Sequence, residues 1–286
     1  MRRFVDLHTH STASDGAATS AELVRLADDA QLAALAMTDH DTTAGLDLAR
    51  QEATRFPQLK LIAGIEISAR FPGGTMHILG LGLALDTAPL ADLTARMQAA
   101  RRERNPKILA KLNALGVELT MDEVAAAAGA VPGQERVIGR MHIAQAMVNR
   151  GCVKTIEEAF DRYLGDAGPA YVDKERLSPG EAIAAVHAAG GLAVLAHPPQ
   201  LHCTNRLQLQ WLLQELKQGG LDGLEVYHSQ HTDVQTRLYL DLAKELDLGL
   251  SGGSDFHGPA KPSVTLGHPR VSATFLSDRF RHHLGI

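Results

Sequence analysis

The sequence predicts an α/β fold, a barrel of βα units interrupted by an all-helical subdomain. Three observations predict it. Short apolar runs alternate with amphipathic helical segments on both flanks of the chain. From about Pro89 to Leu164 the chain carries helical periodicity alone. Ionisable side chains recur where apolar runs end, at His8, His40, Glu66, His197, His228, Asp255 and His257. The carboxyl ends of barrel strands share one face, and active sites are built there.

Taken in order, Arg3–Leu7 reads as a strand followed by a polar loop through Ser14-Asp15-Gly16. Thr19 and Glu22 form a capping box that opens a helix to about Asp29. Leu32–Met37 reads as a strand, 43–55 as a helix, and Leu59–Ser68 and Gly74–Leu83 as two further strands. This rhythm of βα units predicts a parallel sheet. In the helical stretch, Thr120 with Glu123 and Thr155 with Glu158 repeat the capping-box spacing. The rhythm then resumes. Ser178 with Glu181 opens a helix, and Leu192–Ala196, Asp222–Tyr227 and Leu248–Gly252 read as strands. The expected domains are therefore 1–88, the first part of the barrel; 89–168, a helical insertion; and 169–286, the second part.

Composition narrows the function classes. With 45% hydrophobic and 21% charged residues the chain reads as a soluble globular protein. A formal net charge of −5 supplies no global basic field for holding long nucleic acid. Two cysteines, Cys152 and Cys203, make neither a disulfide framework nor a CxxC knuckle, which fits a reducing cytoplasm. The opening MRRFVDLHTH lacks the apolar core of a signal peptide, and no apolar run reaches membrane-spanning length. The expectation is a cytoplasmic protein with no membrane association and no stable protein partner.

The fourteen histidines fall in tight groups with carboxylates. His8-Thr9-His10 leaving a strand puts both imidazoles on one side, because extended chain alternates with period two. Asp255-Phe256-His257 repeats that geometry with a mixed pair, approached through Gly252-Gly253, which let backbone come close. Taken singly, the remaining signals have ordinary readings. Asp15 suits a turn, His40, His77 and His197 suit a core, and Glu66 suits a basic neighbour. The conjunction decides. His8, His10, Asp15, His40, Glu66, His77, His197, Asp255 and His257 are too many ligands for one ion and suit two or three divalent ions. Imidazole and carboxylate without thiolate select ions of the Mn, Zn or Fe type, with Zn or Mn the usual outcomes, and Mn is the metal expected here. Closely paired ions suit phosphoryl hydrolysis. Asp39, beside His40, reads as a residue that orients a ligand.

These residues resemble the PHP (polymerase and histidinol phosphatase) family. Its four motifs are matched by His8-Thr9-His10 with Asp15, by Thr38-Asp39-His40, by Ala196-His197-Pro198 and by Ser254-Asp255-Phe256-His257. Glu66 and His77 fall where the family places its remaining ligands. The resemblance implies a distorted (β/α)7 TIM-like barrel, the PHP fold. It also implies a first metal on His8, His10, Glu66 and Asp255, a second on Glu66, His77 and His197, and a third on Asp15, His40 and His257. Many members carry His where this chain has Asp15, a departure that bears on the third site. Within the family the helical insertion resembles the TrpH-like branch, which includes 3′,5′-nucleoside bisphosphate phosphatases. The expected reaction is removal of the 3′-phosphate from such a nucleotide, for example adenosine 3′,5′-bisphosphate to AMP, by a metal-bridging hydroxide.

A second phosphate needs a cationic anchor, and the insertion carries 101–107 (RRERNPK), Gln134-Glu135-Arg136 and Arg140-Met141-His142. The ordinary reading of such residues is a solvated helix face. Arg102, Asn105, Arg136, Arg140 and His142 are the expected contacts, since the arginine fork suits phosphate and the last two open a helix. His228 is a further substrate-binding candidate. Asp255 and His202 are the catalytic candidates, His202 as general acid to the leaving alcohol. Ser178 reads as an N-cap. Rival readings are a 5′-3′ exoribonuclease on short RNA, a histidinol-phosphate phosphatase and a non-catalytic PHP module. An arginine-rich pocket disfavours the amine-bearing histidinol phosphate, and nine competent ligand positions disfavour a degenerate module.

Overall fold

Local signals place the elements close to where the sequence puts them. Thr19 accepts the Glu22 N–H at 3.2 Å, and its own N–H donates to the Glu22 carboxylate at 2.8 Å. The same reciprocal box forms at Thr120 and Ser178. At Thr155 only half of it forms, because the Glu158 carboxylate takes the Lys154 N–H instead. The computed structural model describes residues 2–129 and 136–286, apart from the side chain at 260.

The elements run β1 (Phe4–Asp6), α1 (Ser20–Asp29), β2 (Ala34–Met37), α2 (Leu46–Ala53), β3 (Lys60–Ala69) and β4 (Met76–Leu81). Helices α3 (Ala88–Ala114), α4 (Met121–Ala127), α5 (Arg140–Asn149) and α6 (Ile156–Ala159) follow, the last running into a π turn, Phe160–Leu164. The chain ends with α7 (Pro179–Ala188), β5 (Leu192–Leu195), α8 (Arg206–Gln218), β6 (Gly223–His228), α9 (Asp233–Glu245), β7 (Gly249–Gly253), β8 (Val271–Ser272) and α10 (Asp278–Leu284).

The sheet order is β7-β6-β5-β4-β3-β2-β1-β8. Beyond β7 and β1 the two end segments meet, with Leu7 N–H on Gly252 O at 3.1 Å and Asp255 N–H on His8 O at 2.8 Å. The result is a nearly closed barrel with helices outside it, the distorted TIM-like form expected. One expectation is corrected: the sheet is mixed, since β4 runs antiparallel to both β3 and β5. The connection 70–75 is too short for a parallel crossover, which needs a dozen or more residues. Strand β8 pairs antiparallel with β1 through two residues and is too short to carry a sequence period.

Two compact units make up the chain, Met1–Thr94 with Arg176–Ile286, and Ala95–Glu175. The first buries Val5, Leu7, Leu79, Val194 and Phe280 along the barrel. Phe280 packs at the amino ends of β6 and β7, where a Cβ on Gly249 would lie 2.1 Å from its ring. That end is filled, so the carboxyl ends carry the polar groups. The second unit has its own core, including Ile108, Leu112, Val124, Ile143, Met147 and Leu164. Among the described residues no helix is long and apolar enough to cross a membrane.

Candidate metal centre

Strand β1 delivers His8 and His10 to one side, their ring centroids 5.2 Å apart. Thr9 points away and is pinned by β2, its hydroxyl donating to Ala36 O at 2.7 Å. The following loop is held by Asp39. That carboxylate accepts the Ser11 N–H at 2.8 Å, the Ser11 hydroxyl at 2.7 Å, the Ser14 hydroxyl at 2.6 Å and the Ser14 N–H at 3.2 Å. Asp39 thus orients the segment that carries His10 and Asp15. Asp15 lies 3.3 Å from His257 Nε2 and 3.8 Å from His40 Nε2.

Glu66 sits at the centre, 1% exposed. Its Oε1 lies 2.6 Å from His77 Nδ1 and 2.9 Å from His197 Nε2. Its Oε2 lies 2.9 Å from His40 Nδ1, 3.2 Å from His10 Nε2 and 3.4 Å from His8 Nε2. His77 reaches it because the β3–β4 register sets Ser68 opposite His77. Asp255 Oδ1 faces His10 Nε2 at 3.2 Å and His8 Nε2 at 3.6 Å. Gly253 lets the backbones close, since a Cβ there would lie 2.4 Å from His8 N. His197 (φ 24°) and Asp255 (φ 57°) hold positive φ, which non-glycine residues rarely adopt and surrounding structure must enforce.

These donors suit cations better than they suit one another. His8 Nε2, His10 Nε2, His40 Nδ1, Glu66 Oε2, His197 Nδ1 and His228 Nε2 are buried with no hydrogen-bond partner among the described residues. Several lie close to carboxylates, as the distances above show, yet without hydrogen-bond alignment. Buried polar atoms left this way are costly unless something binds them. Four sets among the described residues have ligand atoms within 4.8 Å of one another: His8, His10 and Glu66; His40, Glu66 and His77; His10, Asp15, His40 and His257; and His8, Glu225 and His228. All are nitrogen and oxygen donors, which fits Mn, Zn or Fe.

Against the effect of burial, the neighbouring carboxylates lift His8 well above its usual range and His10 to about 9, so a bound cation would displace protons there. Burial would raise the Glu66 carboxyl, but His40, His77 and His8 hold it well below the usual range. Burial would likewise raise Asp255, and Lys261 and His257 bring it well down. Burial, with His40 and His197 beside it, pushes the His77 imidazole down to about 4, leaving it neutral as a ligand must be.

All nine expected ligands therefore converge on one rim. His228, expected at the substrate, is buried in the same cluster, its Nε2 3.5 Å from Asp255 Oδ2. His202 is exposed at the end of the turn Pro198–Leu201. In the helical unit, Arg102 is exposed on α3. Asn105 is buried and donates to Ile138 O at 2.9 Å. His142 accepts the Gly139 N–H at 3.0 Å and so closes the start of α5. Arg140 donates to Leu164 O and Asp166, each at 2.9 Å, and lies over the rings of Phe160 and Tyr171. Arg136 is half-buried near Gly129, while Gln134 and Glu135 lie outside the described residues.

Sequence reasoning passed over three residues. Asp6 accepts the Ser254 N–H at 2.8 Å and hydroxyl at 2.6 Å, and ties β1 to the Asp255 loop. Lys261 sets its ammonium 2.8 Å from Asp255 Oδ2. Glu225 is fully buried, 2.9 Å from His8 Nδ1. Its available signal was a lone carboxylate within Leu224-Glu225-Val226, an apolar strand that should reject one.

A nearly closed α/β barrel with a nitrogen and oxygen cluster at its strand ends is a frame for metal-assisted hydrolysis. The PHP domain family matches residues 6–165, and the chain belongs to that family. It is 37% identical over 259 residues to a 5′-3′ exoribonuclease of Haemophilus influenzae, covering 91% of this chain and 92% of the relative. It is 33% identical over 270 residues to a 3′,5′-nucleoside bisphosphate phosphatase of Chromobacterium violaceum, covering 92% and 90%. The crystal structure of a proposed metal-dependent phosphoesterase of Bifidobacterium adolescentis superposes with a TM-score of 0.86 at 33% identity, covering 100% and 96%. The chain is accordingly a metal-dependent phosphatase whose His, Glu and Asp cluster is able to bind metal ions.

Proposed function

We propose that the protein is a phosphomonoesterase that removes the 3′-phosphate of nucleoside 3′,5′-bisphosphates, using two or three divalent ions, Mn foremost. The observation that carries the metal reading is the set of buried, unpartnered imidazole and carboxylate atoms around Glu66. His8, His10, Glu66 and Asp255 would hold one ion, Glu66, His77 and His197 a second, and Asp15, His40 and His257 a third. Such ions supply an acidified water and positive charge for the phosphoryl oxygens.

The chain's own residues do the rest. Asp39 holds the loop of His10 and Asp15, and Asp6 holds the loop of Asp255. His228 is the proposed contact to a phosphoryl oxygen. His202 is the proposed proton donor to the leaving alcohol. Arg102, Asn105, Arg136, Arg140 and His142 are the proposed contacts to the second phosphate. The support is chemical, since each offers a donor suited to an anion and four lie on α3 or α5. The relative in Chromobacterium violaceum supports the bisphosphate reading. The relative in Haemophilus influenzae favours a second reading, stepwise 5′-3′ hydrolysis of short RNA.

The test is phosphate or nucleotide release by Mn-loaded protein from adenosine 3′,5′-bisphosphate, AMP, histidinol phosphate and a 5′-phosphorylated oligonucleotide. The bisphosphate should be turned over fastest and yield AMP. Preference for the oligonucleotide would replace the first reading by the second, and inactivity on all four would overturn both.

A further inference from the structure

Beneath the rim, Glu225 makes two contacts that join separate ligand-bearing segments. Its Oε1 lies 2.9 Å from His8 Nδ1. Its Oε2 accepts the backbone N–H of His197 at 2.7 Å. The side chain is 0% exposed. A carboxylate with no solvent needs both contacts, and no lysine or arginine takes part in them.

The backbone of β6 is shaped for this. The β6–β7 register slips between Glu225 and Tyr227, so one extra residue stands opposite β7. Side chains on a regular strand alternate, which would send Glu225 and His228 to opposite faces. The irregularity breaks that alternation. Both residues then meet His8, whose ring centroid lies 6.0 Å from that of His228. Glu225 therefore reaches the site from a strand whose sequence alone assigns it no partner.

We infer that Glu225 is a positioning residue of the metal centre, one that sets the tautomer of His8 and holds His197 in its positive-φ turn. This rests on the metal reading above. A carboxylate can only accept, so it keeps the His8 proton on Nδ1 and leaves the Nε2 lone pair facing Glu66 and Asp255. Carboxylates placed behind ligating histidines act this way, and their loss costs roughly 10- to 100-fold in metal affinity. The His197 N–H bond does a second job. At φ 24° that residue sits where its side chain is strained, and the bond to Glu225 Oε2 braces the turn.

An isosteric neutral replacement separates positioning from ligation. In E225Q one amide oxygen must serve two donors. If it keeps His197 N–H, the amide NH₂ faces His8 Nδ1 and drives the proton to Nε2. The experiment is calorimetric Mn titration of the chelator-treated wild type, E225Q and E225D. It is paired with ¹⁵N spectra of the histidine rings in the Zn-loaded proteins. The wild type should bind Mn and show His8 protonated on Nδ1. E225Q should bind the same number of ions at least about 10-fold more weakly, with an altered His8 signal. E225D keeps the charge but is one methylene short of spanning both donors, and should fall between them. It carries the comparison if E225Q does not fold.

Unchanged affinity and an unchanged His8 signal in both variants would overturn the inference while leaving the metal centre intact. Loss of one ion from the count would overturn it differently, making Glu225 a ligand in a further site with His8 and His228. No Mn binding by the wild type would overturn this inference and the metal reading together.

Discussion

Replacing Asp39 by Ala tests how the ligand loop is built. The Asp39 carboxylate accepts four hydrogen bonds from Ser11 and Ser14, all buried. The Ser14 hydroxyl has another acceptor within reach, Asp15 Oδ1 at 3.4 Å, and the Ser11 hydroxyl keeps a partner in Ser20, from which it accepts at 3.2 Å. The Ser14 N–H keeps Ser11 O, to which it also donates at 3.1 Å, so the Ser11 N–H is the one left with no acceptor in place of the carboxylate. A buried, unpaired donor costs about 1–3 kcal/mol, so D39A should lose about 1–3 kcal/mol. Against a total stability of roughly 5–15 kcal/mol that is a large fraction. D39N keeps one carbonyl oxygen that can accept the Ser11 N–H, and should lose less than half as much. Urea unfolding of chelator-treated protein, which removes any stabilisation by bound ions, measures both. Mn affinity should fall in step, since the loop carries His10 and Asp15. D39A within about 1 kcal/mol of wild type, or D39N as damaging as D39A, would refute the reasoning.

Further outcomes follow from the same geometry. H8A and D255A should each reduce turnover by more than about 100-fold, beyond what loss of an outer partner costs, and near-normal rates would remove both from the centre. Chelation followed by return of Mn should abolish and then restore activity in the wild type. R136A should weaken a substrate with two phosphates by about 10- to 100-fold in kcat/KM and spare a simple phosphate ester, and equal loss on both would remove its anchoring role. Burial pushes the His231 imidazole down to about 4 from 6.5. The native state then binds fewer protons than the unfolded chain between those values, so stability present above pH 6.5 is lost as pH falls toward 4. Unfolding of wild type and H231N across that window should show a difference of about 3 kcal/mol between its ends, and parallel curves would refute the assignment.

By itself the sequence determined the α/β class, the helical interruption and the nine candidate ligands. These are local matters. Strand periodicity puts His8 and His10 on one side, an apolar run that ends in His or Asp marks a strand end, and capping boxes mark helix starts. The helical stretch was visible because 3.6-residue periodicity needs no knowledge of neighbours. Tertiary structure alone decided which strands pair and in which direction. Strand β4 runs antiparallel to both neighbours, and only that register brings His77 to Glu66. It also decided the uses of single residues. Asp39 beside His40 holds a loop 25 residues earlier in the chain, through Ser14. Glu225 lay hidden because its partner His8 is 217 residues away and a register slip turns it inward. Contacts of that separation depend on barrel closure, a cooperative outcome of packing the whole sheet, and no local period encodes them.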